Sequence, residues 1–185
     1  MRDLFGLLWG FLPWIFFAVL SGPSEGRLVL AIVASLVATV IFGYQQLRKK
    51  FILTWGSLIF FVFVLIMLVF LKNLWVMNHL DLLAKTSLAL IAWISLLLGK
   101  PFILQHAREH APEARWHLPS FIHTCKIMTV VWGIIFLFST AMSFWKLYFP
   151  GLSDGLFKVI SLVTMLAGIL FSLWYPKKVR RTEVA

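Results

Sequence analysis

The chain has 185 residues, of which 61% are hydrophobic and only 13% are charged. This composition leaves too little polar surface to coat a soluble globule of this size, so it excludes an ordinary water-soluble domain. The formal net charge is +10, but most basic residues flank apolar runs, as membrane orientation requires, and we expect no nucleic-acid partner. Spans of about 20 residues each use up the chain, so we expect one transmembrane domain, residues 1–185, whose first partner is the lipid bilayer.

The first apolar run, residues 4–20, is short and contains Pro13. It can be a kinked span, a re-entrant hairpin or the core of a cleaved signal peptide, and its aromatic bulk and mid-run proline favour the kinked span. The second run covers residues 28–44. Small residues at helical spacing predict that the two runs pack closely as a hairpin. These residues are Gly6, Gly10, Ala31, Ala34, Ser35 and Ala38.

The later apolar runs complete the prediction, an all-α polytopic membrane protein with six transmembrane helices. The third run, residues 53–71, is apolar on every side, so we expect it to be the span most exposed to lipid. The fifth run covers residues 127–148 and the sixth covers residues 156–175. The sixth has a small, partly polar stripe that should face other helices. The stripe consists of Ser161, Thr164, Gly168 and Ser172.

The fourth run, residues 82–98, and the sixth run each begin beside an aspartate that is followed four residues later by a lysine. We interpret each aspartate as a helix cap and each lysine as its i, i+4 partner. Both lysines lie near span ends, so we expect them to extend toward lipid headgroups; a charge in a transport path is the alternative. These four candidate functional charges are Asp81, Lys85, Asp154 and Lys158.

The basic residues are divided unevenly between the two sides of a six-span arrangement. Both termini and the second and fourth loops share a side that carries twelve of the 17 lysines and arginines, which leaves five for the other side. By the positive-inside tendency, both termini are predicted to be cytoplasmic.

The longest interruption of the apolar pattern, residues 99–126, holds four of the five histidines. Pro101 suits the first turn of a helix, which Pro112 should stop. We therefore expect a short cytoplasmic interface helix between spans four and five, with Phe102, Ile103 and Ala107 toward the bilayer. The polar side chains expected to face water are Gln105, Arg108, Glu109 and His110.

Within that helix, His106, Glu109 and His110 form an H-x-x-E-H pattern. Two histidines one turn apart can bind zinc, and the glutamate can activate water. A catalytic site also needs a third ligand, for which the following loop offers candidates, and a shielded cleft, which a surface helix does not provide. We interpret the three residues as a solvated face and predict no bound metal and no other cofactor. A metal-dependent membrane hydrolase is the least favoured alternative.

Short motifs are spread over almost the whole chain. They are residues 11–17 with their proline, Lys85, residues 99–103, Trp116 with Pro119, Trp132, and residues 157–159. In these motifs the chain resembles the intracellular septation protein A family of small bacterial inner-membrane proteins. The resemblance implies a non-enzymatic role in cell-envelope maintenance and cell division, through contacts with other inner-membrane proteins such as the division or envelope-synthesis machinery.

The residues themselves favour an interaction protein, because small-residue seams fit helix-helix association and the chain shows no catalytic constellation. A small-solute transporter or transporter subunit is the alternative. Its candidate lining consists of Ser139, Thr140, Ser143, Ser161 and Thr164. The lack of mid-span charges argues against ion coupling.

Overall fold

The computed structural model describes the backbone of residues 2–22, 24–149 and 154–184 and the side chains of residues 10–22, 24–149, 155–157 and 159–179. The chain is all-helical, with 88% helix and no strand in the part of the chain so described. Eight helices follow one another along these residues. Their bounds are α1 Arg2–Leu20, α2 Glu25–Arg48, α3 Ile52–Leu65 with a π-helical extension Ile66–Phe70, α4 Leu74–Asn78, α5 Leu80–Leu97, α6 Phe102–His110, α7 Pro119–Tyr148 and α8 Asp154–Val184.

Five of the described helices are long and apolar enough to cross a membrane. They are α2, α3 with its extension, α5, α7 and α8. The predicted class, an all-α protein with several apolar helices suited to a membrane, is confirmed at this level. In α1 the described apolar stretch is the shorter Gly10–Leu20, so a sixth span stays a prediction.

The helices form a bundle in which α1 is central. It packs against α2, α3 and α6, while α5 lies between α3 and α7, and α8 packs against α7. Aromatic rings hold α1 in place: Phe11 stacks on Trp132 of α7 with ring centroids 5.5 Å apart, and Trp14 stacks on Phe60 of α3 at 5.1 Å. Aromatic side chains bury large apolar areas, so a few of them are enough to fix a short central helix.

The α2–α3 turn and α6 lie at the same end of the bundle. Lys49 of the turn forms an ion pair with Glu109 of α6 at 2.8 Å, and the backbone N–H of Ile52 donates to Gln105 Oε1 at 2.9 Å. We call this end of the bundle the basic end, because the α2–α3 turn and the segment between α5 and α7, which contains α6, both carry lysines and arginines. These cations are Arg48, Lys49, Lys50, Lys100, Arg108 and Arg115.

Helix α7 begins at Pro119, eight residues before the predicted start of the fifth run. Proline is favoured in the first turn of a helix, because its missing N–H would have no intrahelical partner there. With 30 residues, α7 is about 45 Å long and exceeds the roughly 30 Å hydrocarbon core of a bilayer. Its first turns therefore extend beyond α5 at the basic end, where α6 packs against α7.

The expectation that the third run is the span most exposed to lipid is wrong. In the apolar stretch of α3, 39% of the residues are buried, against 18% in that of α8. One side of α3 packs on α1 and α2, with Ser57, Phe60 and Phe61 buried. A uniformly apolar sequence does not reveal which of its sides contacts protein, and this is why the prediction failed.

The expected helix between Pro101 and Pro112 is present, but its environment was predicted wrongly. As expected, α6 begins directly after Pro101 and ends before Pro112. Its apolar side faces protein instead of the bilayer: Phe102 is completely buried, and Ile103 and Leu104 nearly so. The cause is that α1 and the first turns of α7 offer this helix an apolar surface.

Candidate functional site

Three polar side chains connect α5 to α7 at the end of the bundle opposite the basic end. Lys85 Nζ donates to Asp81 Oδ2 at 2.8 Å, which confirms the predicted i, i+4 pair. The same ammonium donates to Ser143 Oγ of α7 at 2.7 Å, and the Ser143 hydroxyl donates to Asp81 Oδ2 at 2.5 Å. The three groups form a closed triangle, which we call the α5–α7 polar junction.

The junction corrects two expectations. Lys85 does not extend toward headgroups: its side chain is 26% exposed and turns to α7, where the buried Ser143 provides an acceptor. Asp81 is not the helix cap, because His79 occupies the N-cap position of α5. Asp81 lies in the first turn of α5, where a carboxylate is still favoured by the helix dipole, and its side chain binds Lys85 and Ser143.

The hydrogen-bond directions of the junction suit a clamp between helices. A serine becomes a nucleophile when a neighbouring general base takes its proton and a lone pair of its oxygen is free to attack. Here the Ser143 hydroxyl donates a hydrogen bond to the Asp81 carboxylate, but its oxygen also accepts one from the Lys85 ammonium, which makes it a poorer nucleophile. Ammonium, hydroxyl and carboxylate thus satisfy one another between the two helices, with Ser143 buried and Asp81 largely exposed.

A second polar group lies buried at the basic end. His106 is 1% exposed, and its Nδ1 is 2.9 Å from the carbonyl oxygen of Phe102 one turn earlier. A carbonyl can only accept, so Nδ1 carries the proton and Nε2 is left with a lone pair. Nε2 is buried without a hydrogen-bond partner. Ser95 fixes the start of α6, since its Oγ accepts from the N–H of Phe102 at 3.1 Å.

The His106 ring fills the space beside Gly10 of α1. A Cβ built on Gly10 would overlap Nε2 and would lie 2.9 Å from Cδ2 of the same ring. On another side, the ring meets Phe51 of the α2–α3 turn with centroids 5.1 Å apart. Burial in this apolar setting lowers the pKa of His106, because the charged imidazole would lose its hydration; the hydrogen bond to Phe102 only partly opposes this effect.

The H-x-x-E-H residues do not converge. His106 points into the bundle, Glu109 binds Lys49, and His110 is exposed. Nδ1 of His106 is engaged by backbone and Nε2 is covered by Gly10, so neither nitrogen is open to a metal shared with His110. Within the described residues, no group of three or more histidine, cysteine, aspartate or glutamate side chains comes together to hold a metal.

The small residues of α2 lie on the side that packs against other helices. Ala31, Ser35 and Ala38 are buried and Ala34 is half-buried, and α1 is the principal neighbour of α2. The hydroxyl of Ser35 bonds to the carbonyl of Ala31, one turn earlier in the same helix. The surroundings of Gly6 lie outside the described side chains.

The four residues of the predicted stripe on α8 do not share one environment. Gly168 contacts Ile135 and Trp132, and Ser172 accepts a hydrogen bond from Trp132 Nε1 at 2.9 Å. Ser161 and Thr164 are half-buried, and the Thr164 hydroxyl bonds to its own helix at the Ile160 carbonyl. The side chains of Asp154 and Lys158 lie outside the described ones.

Three of the five hydroxyls considered as a transport lining are engaged in hydrogen bonds within the protein. Thr140 Oγ1 donates to the carbonyl of Phe136, one turn earlier in α7, at 2.9 Å, and Ser143 belongs to the polar junction. Together with Thr164, three of the five candidates therefore bond to backbone or to another helix.

Sequence reasoning missed the partners that join the helices. Trp14 Nε1 of α1 donates to Ser57 Oγ of α3 at 2.7 Å, as Trp132 does to Ser172. The available signal was chemical: an indole N–H inside an apolar run needs an acceptor, and serine hydroxyls in the other runs are candidates. The sequence did not show which serine faces which tryptophan.

Comparison with known proteins adds no relative to these observations. No family model matches the chain, and no curated protein and no solved structure matches it. The resemblance to the septation protein A family therefore rests on the short motifs alone, and the sites rest on their geometry.

Proposed function

We propose that this chain is a non-enzymatic multi-pass protein of the bacterial inner membrane that acts in cell-envelope maintenance and division by contacting other membrane proteins. The observation that carries the proposal is the packing of α8. This helix packs chiefly against α7 and leaves most of its circumference uncovered. Its exposed large apolar residues are Leu156, Val159, Leu162, Val163, Met165, Leu166, Leu170 and Trp174.

The use of polar groups also supports an interaction protein. Membrane helices associate through close packing of small residues and through interhelical hydrogen bonds. In this bundle the α5–α7 polar junction, Trp14 with Ser57, and Trp132 with Ser172 are bonds of that kind. Polar side chains here hold helices together, and a transporter receives less support because three of its five candidate hydroxyls are engaged in other hydrogen bonds.

The proposal includes six spans with both termini in the cytoplasm, as the apolar runs and the distribution of cations indicate. Helix α1 has 19 residues and would be about 28 Å long, close to the roughly 30 Å hydrocarbon core. In that orientation the basic end is cytoplasmic, and the α5–α7 polar junction lies at the opposite, non-cytoplasmic surface of the inner membrane.

A photo-crosslinking amino acid placed in α8 tests the proposal in living cells. At Leu166, which is 48% exposed, we expect covalent adducts with membrane proteins of division or envelope synthesis, identified by mass spectrometry. Ile169, on the side of α8 that packs on the core, is the matched control and should react within the chain. Deleting the gene should give misshapen or filamentous cells. Normal division after deletion, together with adducts at Leu166 to lipid only, would overturn the proposal.

A further inference from the structure

The buried imidazole of His106 joins three parts of the basic end. It belongs to α6, it covers Gly10 of α1, and its ring meets Phe51 of the α2–α3 turn edge to face. The side chain of Leu53, at the start of α3, closes the same space beside Gly10. The position of α6 against α1 thus depends on the close fit of the His106 ring among these neighbours.

The surroundings of the His106 ring provide an acceptor for a proton on only one of its two nitrogens. The Nδ1 proton is donated to the carbonyl of Phe102, and Nε2 faces the α-carbon of Gly10, which is no acceptor. A second proton on Nε2 would be a buried donor and part of a buried charge, both without a partner. The undocked helix has no such problem, because water would solvate the imidazolium.

Among the side chains that the structure describes, the charged groups near His106 do not supply a compensating anion. Glu109 attracts a positive imidazole but is already paired with Lys49, and His110 opposes it. No titratable side chain is described on α1 or α3; those of Arg2 and Asp3, at the start of α1, lie outside the described ones. The titratable residues in the first turns of α7 are His123 and Lys126, which are exposed, and Cys125, which is buried. The other basic groups from the packed elements are Lys50 and Arg108.

We propose that His106 is a proton-sensitive latch, whose protonation releases α6 from α1 and from the α2–α3 turn and exposes the apolar side of α6 and the first turns of α7. The inference is independent of the proposed function. The Lys49–Glu109 pair, whose lysine is exposed, adds little to the docking of α6, because ion pairs at the surface contribute little to stability.

The sign of the effect follows from linkage. The undocked imidazole has the ordinary pKa of 6.5, whereas the pKa of the docked one is lowered. The undocked state therefore binds more protons, and docking is unaffected above pH 6.5 and weakens below it. The docked-to-undocked ratio falls by up to about tenfold for each pH unit until the lowered pKa is reached.

Thiol labelling of the full chain in lipid nanodiscs tests the latch. Cys125 is the only cysteine, and a Cys125→Ala background allows a reporter thiol at Leu104→Cys, on the buried side of α6. The labelling rate with dithiodipyridine is divided by that of His110→Cys, an exposed position on the same helix, to cancel any effect of pH on the reagent. Between about pH 7.5 and pH 5 we expect this ratio to rise about tenfold or more.

The control for protonation is His106→Asn in the same background, which retains a donor toward the Phe102 carbonyl but cannot be protonated. There the ratio should stay constant with pH. A constant ratio in the chain that keeps His106, or an equal rise with His106→Asn, would overturn the proposal.

A measurement on the histidine itself does not depend on folding of the Asn variant. In a chain whose other histidines are changed to glutamine, ¹⁵N NMR should show His106 with the proton on Nδ1 at neutral pH. A proton on Nε2, or a charged ring at neutral pH while α6 stays docked, contradicts the latch.

Discussion

At the scale of single residues, the contact between Gly10 and His106 gives the sharpest prediction. Gly10→Ala should lower the free energy of unfolding by about 1–2 kcal/mol, because the added methyl group overlaps the buried His106 ring. The helix propensity of alanine, worth up to about 1 kcal/mol, offsets part of the cost. Gly26→Ala in α2 is the control: nothing lies within 4 Å of the added Cβ, so stability should stay equal or rise. The midpoint of thermal unfolding in detergent measures both.

A double-mutant cycle shows whether His106 causes the loss. In a His106→Ala background, where the ring is gone, Gly10→Ala should cost much less than in the original chain. Equal losses in the two backgrounds would mean that the overlap with His106 does not matter.

The residue scale is also where sequence reasoning was weakest. The H-x-x-E-H spacing predicts that His106 and His110 lie on adjacent turns of a helix, but not that the first faces protein and the second faces water. Gly10 could be recognised as a packing glycine, but not as the neighbour of a histidine 96 positions later. Such pairs depend on how α1 and α6 cross, and local spacing contains no record of that.

At the scale of helices, α2 and α5 end in the same way. In each, the residue after the C-cap has a left-handed backbone, with φ 58° at Lys50 and 66° at Gly99. The next N–H reaches back over the last turn, from Phe51 to the carbonyl of Gln46 and from Lys100 to that of Ser95. This is the Schellman ending, in which glycine is the favoured residue.

Lys50 therefore carries strain that Gly99 avoids. A side chain in the left-handed region costs about 1 kcal/mol, so Lys50→Gly should raise the free energy of unfolding by about 0.5–1 kcal/mol. Lys50→Ala removes the same charge but keeps the strain, so it should give no gain. Calorimetric melting in detergent distinguishes them, and equal shifts for the two variants would assign the effect to charge.

The existence of the long helices could be predicted, but their ends could not. Apolar runs indicated α2, α3, α5, α7 and α8, since a chain in a bilayer must satisfy its backbone internally. The start of α7 was missed because its first turns contain His123 and Lys126, which are read as loop when hydropathy is the guide. The short α4 was also missed, although Asn73 caps it through a bond to the N–H of Val76.

At the scale of the whole molecule, hydropathy predicted the class of protein but not the neighbours of each helix. The central place of α1 depends on aromatic contacts with α3 and α7, and the exposure of α8 depends on its having α7 as its main neighbour. Both features follow from how the side chains of different helices fit together. Hydropathy does not report this fit, because rearranging the residues of an apolar run leaves its mean hydropathy unchanged.

Because α8 has only α7 as its main neighbour, we expect that its packing can be weakened without affecting the rest of the bundle. Trp132→Phe keeps an aromatic ring in the core but removes the N–H bond to Ser172. The lost interhelical bond is worth about 1 kcal/mol, so amide hydrogen exchange in α8 should become about fivefold faster while exchange in α5 is unchanged. Trp14→Phe, which removes the comparable bond to Ser57 in the part of the bundle around α1, is the matched control and should leave α8 unaffected. Equal acceleration of α8 in the two variants would show that the bundle responds as one unit and that α8 is not its separable part.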